Sequence, residues 1–175
     1  ELKKNLYDLD IAKDKFHLVD LDLCSEKSVQ ELVPKIKKIT KKLDHIVLNA
    51  GYIKTSPALM TSKDSILKHM NINFVNQISI AQAIAKSFFI KQRSGTIVAI
   101  SSSAAIDANE GRMAYASSKA AFSTAIRVLS KELGKINIRA NVIAPGLTDT
   151  KLMRDSTESN QIEKVLEQLS LKRLG

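Results

Sequence analysis

The chain has 175 residues, 44% hydrophobic and 26% charged, an ordinary globular composition with enough length for one core. No stretch approaches the roughly 20 apolar residues of a membrane helix, and a single cysteine, Cys24, excludes an internal disulfide and fits a reducing cytoplasm. The formal charge is +9, but 21 of the 27 basic residues are lysines scattered along the chain and aromatics are only 5%, so the basic and aromatic interleaving of a nucleic-acid binder is missing.

In chain order, Glu1 to Leu9 reads as the tail of a helix, with no charged-then-apolar leader to direct secretion. Phe16–Val19 is a candidate strand leading into Asp20-Leu-Asp22-Leu23, and Ser25 is a candidate helix cap. A helix is predicted from Glu26 to Lys42. Its lysines alternate with Ile36, Ile39 and Leu43, the pattern of one solvated face, and Pro34 is expected to kink or break it. His45–Asn49 reads as a second strand ending at Ala50-Gly51. After a loop from Tyr52 to Leu59, Thr61 and Asp64 resemble a capping box.

A long helix then runs to about Gln92, with Ile66, Met70, Phe74, Ile78, Ala81, Ala85 and Phe88 on one face. Asn71, Asn73 and Asn76 are poor helix formers in its middle and signal an irregularity, or side chains employed elsewhere. Thr96–Ile100 is a third strand with Ser101–Ser103 at its exit. The next helix covers Ala116 to Leu133 and stops near Gly134, a suitable C-cap. Ile136–Ile143 is a fourth strand and Pro145-Gly146 turns the chain. Leu147–Ser159 reads as polar and irregular, and Gln161–Leu169 as a short amphipathic helix. His17, His45 and His69 stand apart without metal-ligand spacing, so no metal site is expected.

Strands alternating with helices predict a parallel sheet covered on both faces. Ligands of such sheets bind beyond the carboxyl ends of the strands. Asp22, Asn49-Ala50-Gly51, Ser102 and Pro145-Gly146 all fall at such ends, which predicts one continuous site.

Tyr115 and Lys119 lie four apart on a helix and share a face. A free tyrosine titrates at about 10, so acid/base work near neutrality requires roughly 4 kcal/mol of phenolate stabilisation. An ammonium at about 4 Å, with an effective dielectric near 20, supplies about that much. The pair is a candidate general acid/base. Taken alone, such a pair in a lysine-rich chain also describes a solvated face.

Together these motifs resemble the short-chain dehydrogenase/reductase family across nearly the whole chain. Asn49-Ala50-Gly51 matches that family's Asn-Ala-Gly, and Tyr115-x-x-x-Lys119 its signature. Ser102, thirteen residues before Tyr115, has the family spacing that singles it out from Ser101 and Ser103. Asn73 falls where the fourth tetrad member is expected. Ile138 to Gly146 matches the strand and Pro-Gly of the family, and Asp22-Leu23 the acidic position near the adenine.

The resemblance implies a Rossmann-like, doubly wound parallel sheet with helices on both faces, residues 1–175 forming one partial NAD(P)-binding domain. It implies an oxidoreductase interconverting a carbonyl and a secondary alcohol. Tyr115 would pass the proton, Lys119 would tune it and hold the nicotinamide ribose, Ser102 would hold the substrate oxygen, and Asn73 would help hold a relay water. Asp22, Leu23, Asn49, Ala50, Gly51, Tyr115, Lys119, Pro145, Gly146, Thr148 and Thr150 would line the cofactor. NAD and NADP both remain open, because their determinants lie in a Gly-rich turn and at the end of a second strand.

Two departures stand out. Leu48 replaces a second asparagine found in many members. No Gly-rich turn is present: the six glycines are Gly51, Gly95, Gly111, Gly134, Gly146 and Gly175. The sheet is therefore expected to be incomplete, without its first two strands and its last, and the sequence to be an excerpt of a longer chain. Within the family, the stretch from Arg139 to Thr150 and the basic Arg93 point to 3-oxoacyl-(acyl-carrier-protein) reductases, although Lys135-Ile136 stands where a second carrier-docking arginine is expected. A sugar, steroid or small-alcohol dehydrogenase is the alternative. A cofactor-blind binding or assembly module is the alternative of another class. The helical runs 63–92 and 113–134 match those through which members pair, which implies a homodimer or homotetramer.

Overall fold

The computed structural model describes residues 16–157 and 159–175; the helix tail expected at Glu1–Leu9 lies outside them. Helix α1 (Glu26–Ile39) begins where Ser25 accepts a hydrogen bond from the Ser28 N–H, as a capping serine should. Pro34 lies inside α1 without ending it. Its position is exposed, so the carbonyl it leaves without an intrahelical donor can turn to water, while Val29, Leu32 and Val33 hold the opposite side in the core.

Strand β1 (His45–Leu48) comes next, then a short 3₁₀ turn at Ala58–Met60. The long helix α2 covers 63–92 as α-helical Lys63–Met70, Asn76–Ile84 and Ile90–Gln92, joined by π-helical turns at Asn71–Val75 and Ala85–Phe89. Its cap is Ser62, accepting from the Ser65 N–H, rather than Thr61; the Thr61 hydroxyl is spent on the Pro57 carbonyl at 3.1 Å. Each π turn takes one extra residue and rotates the helical turns beyond it. Ala81, Ala85 and Phe88 are therefore buried as predicted, whereas Phe74 and Ile78 are only half-buried and Ile72, Gln77 and Ile80 take the inward positions.

Strand β2 (Gly95–Ile100), helix α3 (Ala104–Asp107), helix α4 (Met113–Gly134) and strand β3 (Ile138–Ile143) complete the central part of the chain. Among the described residues, the left-handed turn after α4 sits at Asn137 (φ 63°) rather than at Gly134, and it delays β3 by two residues from the predicted start at Ile136. Lys151–Ser156 is a short helix, α5, within the stretch predicted to be irregular: the Thr150 hydroxyl accepts from the Met153 N–H and starts it. Helix α6 is Ser159–Gln168.

The described strands form one parallel sheet in the order β1-β2-β3. In this register Ile46 lies beside Ile97 and Ile97 beside Ala140, with Leu48 beside Ala99. These residues, one face by strand alternation, join Val29, Leu32 and Val33 of α1, Ile80 to Phe89 of α2, and Phe122 and Ile126 of α4 in a single core. On the other face Val47 and Ile143 are 63% and 52% exposed. The fold is thus the Rossmann-like α/β parallel sheet that the alternation predicts. Phe16–Val19 is not a strand in the structure, and the described sheet consists of β1, β2 and β3.

Gly95 opens β2 directly over the buried ring of Phe89: a Cβ there would stand 2.3 Å from Phe89 Cγ, whereas one at Gly134 would meet nothing within 4 Å. Gly95→Ala should therefore cost about 1–3 kcal/mol through overpacking. Gly134→Ala should be neutral or stabilising by up to roughly 1 kcal/mol. Urea unfolding of both variants checks this, and equal effects at the two positions would refute the packing.

Candidate active site

The carboxyl ends of β1, β2 and β3 open into one cavity of about 440 Å³. Asn49, Gly51, Ser102, Tyr115, Lys119, Pro145, Gly146, Thr148 and Thr150 all line it. The strand ends and the first turns of α4 therefore bring together most of the residues that the sequence singles out. Asn73, Ala50, Asp22 and Leu23 stand outside this lining. Ala50 and Leu23 line an apolar groove beside β1 with Gln77 and Ile80. The Asp22 carboxylate accepts from the Cys24 N–H at 2.8 Å, closing its own turn ahead of α1.

Lys119 is 3% exposed. Its Nζ donates to the Ile100 carbonyl, the last of β2, at 2.8 Å. The turn after β1 passes close to the same atom: a Cβ on Gly51 would stand 3.8 Å from Lys119 Nζ and 3.9 Å from Leu152. The lysine thus ties the end of β2 to α4, with the turn after β1 passing beside it. The serines divide their tasks. Ser101 is buried and donates to the Lys119 carbonyl at 3.1 Å, fastening β2 to α4. Ser102 accepts from the Ala104 N–H at 3.2 Å, which leaves its hydroxyl proton for a ligand. Thr150 spends its oxygen on the Met153 N–H at 3.2 Å.

Asn73 is fully buried in the first π turn. Its Oδ1 accepts from the Tyr52 N–H at 2.7 Å, and its Nδ2 donates to the Tyr52 carbonyl at 2.8 Å and to Ser118 Oγ at 3.0 Å. Ser118 in turn donates to the Tyr115 carbonyl at 2.7 Å. The Asn cluster therefore marks both an irregularity and committed side chains, and Asn76 does the same by donating to the Leu23 carbonyl.

Sequence reasoning misses Gln77. Its Nε2 donates to the Ala50 carbonyl at 2.8 Å and to the Ile72 carbonyl at 3.1 Å, so it braces Asn49-Ala50-Gly51 from the helix. The sequence carries no local signal for it, since only the π turn at Asn71–Val75 brings it inward. His69 closes the loop: it accepts from the Lys54 N–H at 3.0 Å, which leaves the ring proton on Nδ1 for the Ser65 carbonyl at 2.7 Å.

Burial pushes the Lys119 pKa down from the usual 10.5 to about 8, because leaving water penalises the ammonium. The folded value lies below the unfolded one, so the penalty on stability is complete below about pH 8 and fades as pH rises toward 10.5. In a Tyr115→Phe background, which silences the phenol, the stability of the Lys119 protein relative to Lys119→Met should rise from pH 7 to pH 10. The rise should be on the order of 3 kcal/mol, the size of that pKa displacement. Chemical unfolding at the two pH values measures it, and a pH-independent difference would show that the ammonium is not desolvated.

Residues 1–161 match the short chain dehydrogenase family. A sorbitol-6-phosphate 2-dehydrogenase of Klebsiella pneumoniae is 32% identical over 152 residues, covering 81% of this chain and 56% of the relative. A 3-oxoacyl-(acyl-carrier-protein) reductase of Thermotoga maritima is 30% identical over 155 residues, covering 89% of this chain and 62% of the relative. The chain thus spans less than two thirds of either relative's length. Among solved structures, ElxO with NADP bound superposes with a TM-score of 0.87 at 23% identity, over 99% of this chain and 71% of that one. NAD+-bound xylitol dehydrogenase superposes with a TM-score of 0.80 at 24% identity, over 89% of this chain and 65% of that one. On the match across residues 1–161, the chain belongs to the short chain dehydrogenase family.

Proposed function

We propose that this chain carries the catalytic half of an NAD(P)(H)-dependent oxidoreductase that interconverts a carbonyl and a secondary alcohol. The observation that supports this best is the convergence of Ser102, Tyr115 and Lys119 on one cavity at the strand ends. Tyr115 gives its phenolic proton to the substrate oxygen in reduction and takes it back in oxidation. Lys119, an ammonium at neutral pH, lines the same cavity as Tyr115 and supplies positive charge there. Ser102 donates its hydroxyl to the same substrate oxygen. Asn73 works as a positioning residue: its carboxamide is committed to Tyr52 and Ser118, so its part in the relay is to hold those segments rather than to present its side chain to a water.

The residues fit the nicotinamide end of the cofactor. Gly51 leaves the ground before Lys119 open: even a Cβ there would already be in van der Waals contact with the ammonium, at 3.8 Å. Asn49 to Gly51, Lys119, Pro145-Gly146, Thr148 and Thr150 would hold NAD or NADP there, with Asp22 and Leu23 toward the adenine. When bound, the nicotinamide supplies or accepts the hydride.

For the substrate, a 3-oxoacyl group on an acyl carrier is one reading and a sugar or small alcohol the other. The two relatives' names support one each. Pairing of two copies through α2 and α4 is supported by exposed apolar residues there, Leu67, Val75 and Val128.

Tyr115→Phe should lower kcat by about 10²–10⁴-fold while NAD(P)H still binds, as read by nicotinamide fluorescence. A variant that keeps most of its turnover would refute the role of Tyr115. A wild-type protein that gives no fluorescence titration with either cofactor would favour a non-catalytic binding module.

A further inference from the structure

Arg112 is left over once the proton-transfer residues are placed. It opens α4 three residues before Tyr115, is half-buried, and lines the same cavity as Tyr115 and Lys119. Its Nη2 donates to the Thr157 hydroxyl at 2.9 Å, and its backbone N–H donates to the Asn109 carbonyl at 3.3 Å. Asn109 and Thr157 line the cavity as well.

A guanidinium carries five N–H donors in a planar fork. The bond to Thr157 uses one donor on a neutral hydroxyl, which a glutamine could equally make. Among the described residues no carboxylate pairs with Arg112. Among the described residues no aspartate or glutamate lines the cavity; Asp107 at the end of α3 and Glu110 in the loop after it are exposed and outside its lining. The described lining therefore holds two cationic side chains and no anion to match them. A partly desolvated guanidinium is best satisfied by an oxyanion in bidentate contact. A carboxylate would be saturated by the fork alone. A phosphate has further oxygens for the Asn109 amide and the Thr157 hydroxyl beside it.

We infer that Arg112 is a specificity-determining residue that receives a phosphate monoester carried by the substrate, with Asn109 and Thr157 as adjoining donors. The assignment of that ligand as substrate rests on the oxidoreductase reading above; the anion site itself rests on the cavity.

The test is calorimetric binding of dihydroxyacetone phosphate and of dihydroxyacetone to the full chain, with saturating NADP present so that the cofactor pocket is not the site measured. The wild type should prefer the phosphorylated compound by about tenfold to a hundredfold, the range of a hydrogen bond to a charged group. Arg112→Gln should abolish that preference and Arg112→Lys should keep part of it. Equal binding of the two compounds by the wild type overturns the proposal, as does a preference that survives in Arg112→Gln. The wild-type comparison needs no variant, so a misfolded Arg112→Gln leaves the test intact. Turnover of the same compounds is read separately. Preference without turnover keeps the phosphate site and removes the oxidoreductase reading; turnover without preference does the reverse.

Discussion

Asn73 has no contact with solvent, and its carboxamide makes three hydrogen bonds, two to the Tyr52 backbone and one to Ser118. A buried amide that loses a partner costs about 1–3 kcal/mol, so these bonds hold the loop after β1 at one distance from α2 and α4. They are available because the helix is π-wound at Asn71–Val75. The extra residue loosens the carbonyl pattern, and the Ile72 carbonyl is taken up by Gln77, which also grips Ala50. Asn73 and Gln77 lie four apart on one face and fasten both ends of Ala50-Gly51-Tyr52. Gly51, which faces the Lys119 ammonium, is the residue between. Among the described residues Gln77 Oε1 is buried without a partner, a cost accepted where the turn must be fixed.

A fixed turn sets the surroundings of Lys119. Its ammonium lies at the carboxyl end of β2, with the Ile100 carbonyl as its hydrogen-bond acceptor. Desolvation brings its pKa to about 8, low enough to register burial yet high enough to keep it charged at neutral pH. In a site of reduced dielectric, a charge at about 4 Å from a developing anion is worth several times its value in water. Such a cation is most useful when the negative charge appears only during the reaction, since only interactions stronger in the transition state raise the rate.

Much of this is legible in the sequence, and the misses share a cause. The strand and helix alternation and the polar clusters at strand ends are local patterns, so they are enough to predict the sheet and a shared cavity at its strand ends. The Asn run correctly marks the irregular helix. Gln77 escapes because a single glutamine beside Asn76 reads as surface; only the π turn, a property of the packed helix, swings it inward. Phe16–Val19 has strand composition, but strand identity requires a neighbour, which is a non-local fact. Leu147–Ser159 reads as irregular because a six-residue helix is too short for periodicity to show; its Thr150 cap is visible only in the fold.

The two walls of the cavity are built differently. Tyr115 and Lys119 sit on α4 and Ser102 just past the end of β2, anchored by Ser101, Ser118 and Asn73 through buried bonds. The opposite wall, from Pro145 to Thr157, is tied back by the Ser103 N–H to the Pro145 carbonyl, by Arg112 to Thr157, and by an exposed bidentate pair of Arg154 with Asp149. Exposed ion pairs contribute little, and segments with few buried contacts open at low free-energy cost. Groups that must meet a reacting atom within tenths of an ångström belong on the rigid wall. Groups that only recognise the remainder of a ligand tolerate the looser one. Arg112 stands at the junction, fixed to α4 by its backbone while its guanidinium reaches the looser wall, so a ligand held by both Arg112 and Thr157 would bridge the two walls.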